Sequence, residues 1–150
     1  MSSTRPGTAC GGAGPDKDDP PMPKRSVSSD RVYKSRLPFA QATIAGDFMF
    51  VCCVGADLQG KYAIGDARRQ TQQCIDNIRA LLEEAGASLK DVVKCTVYVT
   101  DRAYWEPMNE VYFANFAEEP PHRVSCIVNG LGSPDCLVEI DATAHLGKAG

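Results

Sequence analysis

The stretch FAQATIAGDFMFVCCVGAD reads as two β-strands around a Gly46-Asp47 turn, and the second, Phe48 to Val54, is wholly apolar. From Asp66 to Ala85 the period changes. Cys74, Ile75, Ile78, Leu81 and Leu82 recur at three and four with polar residues between them, and Gly86 supplies a stop, which predicts an amphipathic helix. VVKCTVYVTD then alternates as a strand, with Lys94 and Tyr98 opposite Val93, Cys95, Val97 and Val99. A second helix is predicted from about Tyr104 to Phe116, with Trp105, Met108, Tyr112 and Phe116 on neighbouring turns as core residues. Pro107 falls in its first turn, where a missing N–H costs little. Finally, PPHRVSCIVNGLGSPDCLVEIDA carries two apolar runs around a Gly/Ser/Pro turn, which predicts a β-hairpin.

The predicted order is β-β-α-β-α-β-β, with a short strand near Val32-Tyr33 in front. This is an α+β fold of one sheet and a helix layer. Two helices cover one sheet face, so strands this apolar need something on the other, and a partner subunit is the simplest cover. Residues 1–30 are rich in Ser, Gly, Pro and charge, with too little to bury, and are expected to form a disordered tail ahead of a domain at 31–150. An organelle address, mitochondrial for example, is the alternative for this tail, but Asp16, Asp18 and Asp19 and the prolines argue against a transit helix. The GGAG within it lacks the flanking strand and Gly-Lys of a phosphate loop.

Composition narrows the partners. The 150-residue chain has 16 basic and 19 acidic residues, a net charge of −3, so no basic surface is advertised to nucleic acid or anionic membrane. No apolar run approaches the roughly 20 residues of a membrane span, and no hydrophobic stretch follows the first charge as in a secretory signal. The seven cysteines form no C-x-x-C pair, and five of them fall inside strand-like runs, where cysteine acts as a small hydrophobe. His122 and His145 lie far from any paired cysteines, so no metal is expected. Structural thiols suit a reducing compartment, and a cytoplasmic protein is expected.

Candidate chemistry lies in the last two strands. Arg123 and Glu139 are costly to bury, yet both interrupt apolar runs. Alternation puts Arg123, Ser125 and Ile127 on one side of their strand, and Leu137, Glu139 and Asp141 on one side of theirs. Paired as a hairpin, the strands would bring Arg123, Ser125 and Glu139 together. One reading is a structural ion pair at a subunit interface. The other is a site in which the guanidinium grips a carboxylate and the glutamate handles a proton or a water. Ser125 has no histidine and acid arranged for a triad, so it is not read as a nucleophile. Asn109 is either exposed mid-helix or at a cleft, and His122 reads as exposed in its Pro-Pro turn.

PPHRVSCIVNGLGSPDCLVEIDATA resembles the C-terminal signature of the Rid/YjgF family of enamine/imine deaminases, also called the L-PSP endoribonuclease family. LPFAQATIAGDFMFVCC resembles its P-Y-x-Q-A opening and first hairpin. QTQQCIDNIRALLEEAGASLKDVVKCTVYVTD and YWEPMNEVYFANF resemble its two helices and the strand between them. Together the four pieces span roughly residues 36–146. The resemblance implies a chorismate-mutase-like α+β fold, a sheet with two helices on one face, assembled as a homotrimer with clefts between subunits. It implies that Arg123 binds a substrate carboxylate and that Glu139 activates water against an imine, with no cofactor. Ser125, Asn109, Phe39 and Cys53 would line the cleft. Four positions depart from the family pattern. Phe39 stands for its tyrosine, Cys52-Cys53 for a common Ser-Gly, and Ser125 for the deaminases' cysteine, with Cys126 one place later and expected to face the core. A metabolite-sensing protein without turnover is the alternative function. An RNA-cleaving or translation-inhibiting one is disfavoured by the acidic charge.

Overall fold

The computed structural model describes residues 23–147. Gly46, at φ 59°, makes the turn between β2 (Ala42–Ala45) and β3 (Phe48–Val54), which pair antiparallel as expected. Because β3 is regular, its apolar run divides by face. Met49, Val51 and Cys53 are buried, whereas Phe48, Phe50 and Cys52 are exposed. Helix α1 (Ala67–Glu84) follows, its first turn capped by the Asp66 carboxylate, which accepts from the Arg69 N–H at 3.0 Å. At its end Gly86, at φ 73°, lets the Ala87 N–H return to the Leu82 carbonyl at 2.9 Å. Cys74, Ile75, Ile78, Leu81 and Leu82 are all fully buried, so the predicted stripe is the one that packs on the sheet.

Strand β4 (Val92–Val99) leads through α2 (Trp105–Asn115) to β5 (His122–Ile127). Met108, Tyr112 and Phe116 are buried and Trp105 partly so, as the helical stripe predicted. Strand β6 (Val138–His145) is the last in sequence, and the six strands form one sheet in the order β1-β2-β3-β6-β4-β5, with β1 (Arg25–Val27) and β5 at its two edges.

The expected C-terminal hairpin does not form. β5 pairs parallel with β4, as a strand–helix–strand crossover requires, and β6 inserts antiparallel between β3 and β4. Alternation identifies both strands but carries no information about their partners. The ten residues between them loop past the end of β4, where the Val128 N–H donates to the Val99 carbonyl at 2.9 Å and the Thr100 N–H to the Leu137 carbonyl at 3.1 Å.

Two local readings also change. The β4 register shifts between Val92 and Lys94, so Val92 is buried and Val93 is exposed, contrary to a strict alternation through Val93. The leading strand is Arg25–Val27, inside the stretch read as tail, and Val32 is buried in a turn instead. Val27 and Ser29 are buried. Ser29 donates to Glu84 at 2.8 Å, and Arg31 pairs with Glu83 at 2.7 Å, which ties this segment to the last turn of α1. Of the tail expected over residues 1–30, residues 1–22 lie outside the described residues. Removing residues 1–28 is therefore expected to melt several degrees below removal of 1–22 alone, because burying one valine is worth roughly 1.5–3 kcal/mol. Equal melting temperatures in a calorimetric scan would show that β1 adds nothing.

A close contact fixes where β3 ends. A Cβ on Gly55 would lie 2.6 Å from the Gln70 carbonyl oxygen, so only glycine lets α1 approach there. Gln70 itself has no exposed surface. Its Nε2 donates to the Ala63 and Asp135 carbonyls at 3.0 and 2.8 Å, and its Oε1 accepts from the Leu137 N–H at 2.8 Å. One helix side chain thus holds both the loop after β3 and the entry to β6.

Candidate functional site

Arg123 stands opposite Cys95, a fully buried residue of β4, so its side chain leaves the sheet on the helix side. There the guanidinium lies 4.7 Å from the Tyr112 ring and 4.9 Å from the Phe113 ring, and Nη1 approaches the Met108 sulfur at 3.9 Å. Stacking of this kind holds the planar fork in place while leaving its N–H edge for an anion. Among the described residues no carboxylate pairs with Arg123. Ser125 stands opposite Val97 on the same face, and its Oγ is buried without a hydrogen-bond partner. Asn109 Oδ1 and the Tyr112 hydroxyl, on the helix that carries the aromatic cradle, are buried and unpartnered as well. Burial, and then the neighbouring Cys95 thiol, push the Tyr112 phenol upward, with the Arg123 charge opposing.

Glu139 lies on the opposite face. Its neighbours across the sheet are Val54 of β3 and Tyr98 of β4, and the helix-facing positions beside it, Val138 and Ile140, are fully buried. Its Oε1 accepts from the Cys52 thiol at 3.1 Å. Burial first, and then that bond to Glu139, push the Cys52 thiol well above its ordinary range.

A single chain therefore does not bring Arg123 and Glu139 together. They are two strands apart with β4 between them, a spacing of roughly 9–10 Å, and they face opposite ways. Arg123, Ser125 and Asn109 belong to the helix side. Phe39 is 65% exposed on the loop before β2, and its ring pairs with no described aromatic or cation. Cys53, expected in the lining, is buried under the helices, and the side chain beside Glu139 is Cys52. Cys126, expected in the core, stands opposite Tyr98 on the open face and is only half-buried, because β5 is the edge strand. His122 is exposed, as expected.

Sequence reasoning missed the cradle of Met108, Tyr112 and Phe113. The helical spacing of Met108 and Tyr112 signals a core stripe, and nothing in it distinguishes a core from a platform for a cation. Cavities of about 420 Å³ by Ser88, Lys90 and Asn115, and about 260 Å³ by Asp57, Tyr62 and Arg69, include neither Arg123 nor Glu139. Among the described residues no cluster of three or more His, Cys, Asp or Glu is set to hold a metal, and all six cysteines are free. No described helix is long and apolar enough to cross a membrane.

Solved structures share this arrangement of a six-stranded mixed sheet and two helices. RidA from an Antarctic Psychrobacter superposes with a TM-score of 0.75 at 30% identity, covering 81% of this chain and 98% of its own. The YjgF gene product of E. coli gives 0.74 at 27% identity over 81% and 98%. The fold is thus the α+β fold of the YjgF and RidA proteins. The chain belongs to the Rid/YjgF family, matching Endoribonuclease L-PSP over residues 30–146. A RutC family protein of Pyrococcus abyssi is 42% identical over 126 residues, which cover 83% of this chain and 98% of that relative.

Proposed function

We propose that the protein is a deaminase that hydrolyses small carboxylate-bearing imines and enamines to keto acids and ammonia, in clefts between the subunits of a homotrimer. The observation that carries this reading is the Arg123 guanidinium, stacked on two aromatic rings and without a carboxylate partner among the described residues. A cation held this way suits a ligand carboxylate, which its fork can bind through two N–H groups. The unpartnered Ser125 Oγ and Asn109 Oδ1 on the same side supply further polar contacts, and each would otherwise cost roughly 1–3 kcal/mol.

The chemistry then falls to Glu139 of a neighbouring subunit. A protonated imine is already electrophilic at carbon, so it needs only a water and a proton acceptor. Glu139 takes a proton from water as the oxygen bonds to the imine carbon, and the C=N pair shifts to nitrogen. Returning that proton to the nitrogen of the carbinolamine gives an ammonium leaving group. As the C–N bond breaks, its electron pair leaves with ammonia, the hydroxyl oxygen closes the C=O bond, and the again-ionised Glu139 takes the hydroxyl proton, which leaves with ammonia as ammonium beside the keto acid. Opposite faces make a composite site necessary, since a small substrate cannot reach from one to the other within a chain. The open face has the means to recruit a second copy, because Phe48, Phe50, Val93 and Val124 are each more than 40% exposed there. Glu139 and Asp141 on that face repel phosphate, which speaks against an RNA-cleaving function.

The test combines two measurements. Ammonia release should be accelerated from 2-imino acids generated in situ by amino-acid dehydration, and light scattering should give three times the mass of the chain. Release at the spontaneous rate across the panel overturns the deaminase. A folded monomer at micromolar concentration overturns the composite site.

A further inference from the structure

Of the two adjacent cysteines in β3, the pleat turns Cys53 into the core and Cys52 out beside Glu139. The Cys52 sulfur is 3.1 Å from Glu139 Oε1, whereas Oε2 accepts no hydrogen bond from a described residue. Asp141, directly across from Cys52 in the β3–β6 register, adds a second negative charge beside the thiol. Partial burial and two carboxylates all favour the protonated sulfur.

We propose that Cys52 is a positioning residue for Glu139: its thiol donates to Oε1, holds the carboxylate so that Oε2 faces the attacking water, and is thereby kept from acting as a nucleophile itself. The proposal rests on the water-activating role given to Glu139 above. It assigns to an exposed cysteine next to an electrophilic substrate the task of staying protonated. A free thiolate there would compete with water for the imine carbon.

Two readouts test it, one of them independent of turnover. Alkylation of Cys52 by iodoacetamide at pH 8 is followed by peptide mass spectrometry, with buried Cys53 on the same peptide as the internal control. Glu139→Gln should speed alkylation of Cys52 at least about tenfold, the gain in thiolate for each unit by which its pKa falls. Glu139→Ala should do the same, which guards against a residual bond to the glutamine. In the imine assay Cys52→Ala should lower kcat about tenfold with KM little changed, and Cys52→Ser, which restores a donor, should recover most of it. Alkylation rates equal in the parent and both Glu139 variants overturn the proposal, as does a Cys52→Ala enzyme as fast as the parent. A parent inactive on every imine overturns the deaminase reading and the positioning role with it. The alkylation ratio still reports the contact itself, so the two failures are told apart.

Discussion

Glu139→Gln is expected to reduce imine hydrolysis by roughly 10²–10⁴-fold, the usual worth of a positioned acid–base group, while binding of a 2-keto acid product stays nearly intact. The amide keeps the shape of the side chain and can still accept from Cys52, but it cannot take a proton from water. Arg123 variants should fail in the other way. Arg123→Lys keeps the charge and loses both the planar fork and its stacking on Tyr112 and Phe113. Loss of one charge-assisted contact, roughly 1.5–3 kcal/mol, corresponds to roughly 10- to 150-fold weaker carboxylate binding. Arg123→Ala should bind more weakly still. Calorimetric titration with a keto acid and the ammonia assay, run on the same preparations, separate binding from chemistry. Undiminished carboxylate affinity in Arg123→Ala would move the anion site elsewhere. A fully active Glu139→Gln would leave the glutamate a structural residue.

The second large effect is on stability and comes from Gln70. Replacing it by alanine removes three hydrogen bonds at once and strands the Leu137 N–H and two carbonyls beside the helix. At roughly 1–3 kcal/mol for each buried group left unpaired, and with partial relaxation, the expected loss is roughly 2–5 kcal/mol. For a chain of this length that corresponds to a drop in Tm of roughly 5–15 °C. Gln70→Met tests the cause, because it keeps the volume and loses the bonds, and it should fall nearly as far as alanine. A methionine variant within about 2 °C of the parent would show that packing, not hydrogen bonding, makes this position matter. Glu139 sits two residues beyond Leu137, so turnover should suffer too.

What could be read from the sequence divides along physical lines. The β2–β3 hairpin and both helices are local objects, specified by a turn glycine or a 3.6-residue period, and they formed where those signals put them. Strand pairing is not local. Arg123 and Glu139 lie in strands that alternation locates well, yet a parallel crossover and a hairpin present the same pattern, so the faces they share came out wrong. The run FMFVCCV hides its own phase, because apolar residues on both sides of a strand look alike, and the choice between Cys52 and Cys53 depended on that phase. β1 is three residues long in a polar stretch and offers almost no periodicity. Gln70 did leave a trace: it precedes Cys74 by one helical turn, on the buried stripe, where a polar residue needs partners.

The insertion of β6 between β3 and β4 also governs the order in which a ribosome can deliver this fold. The strand at the centre of the sheet is made last, so until residues 138–145 emerge from the exit tunnel both of its neighbours present unpaired backbone edges. The nascent chain up to residue 137 holds both helices and five strands but cannot close its core, and folding of the sheet is deferred until β6 has emerged. A stop codon just ahead of Val138 should then yield an insoluble product rather than a smaller stable one.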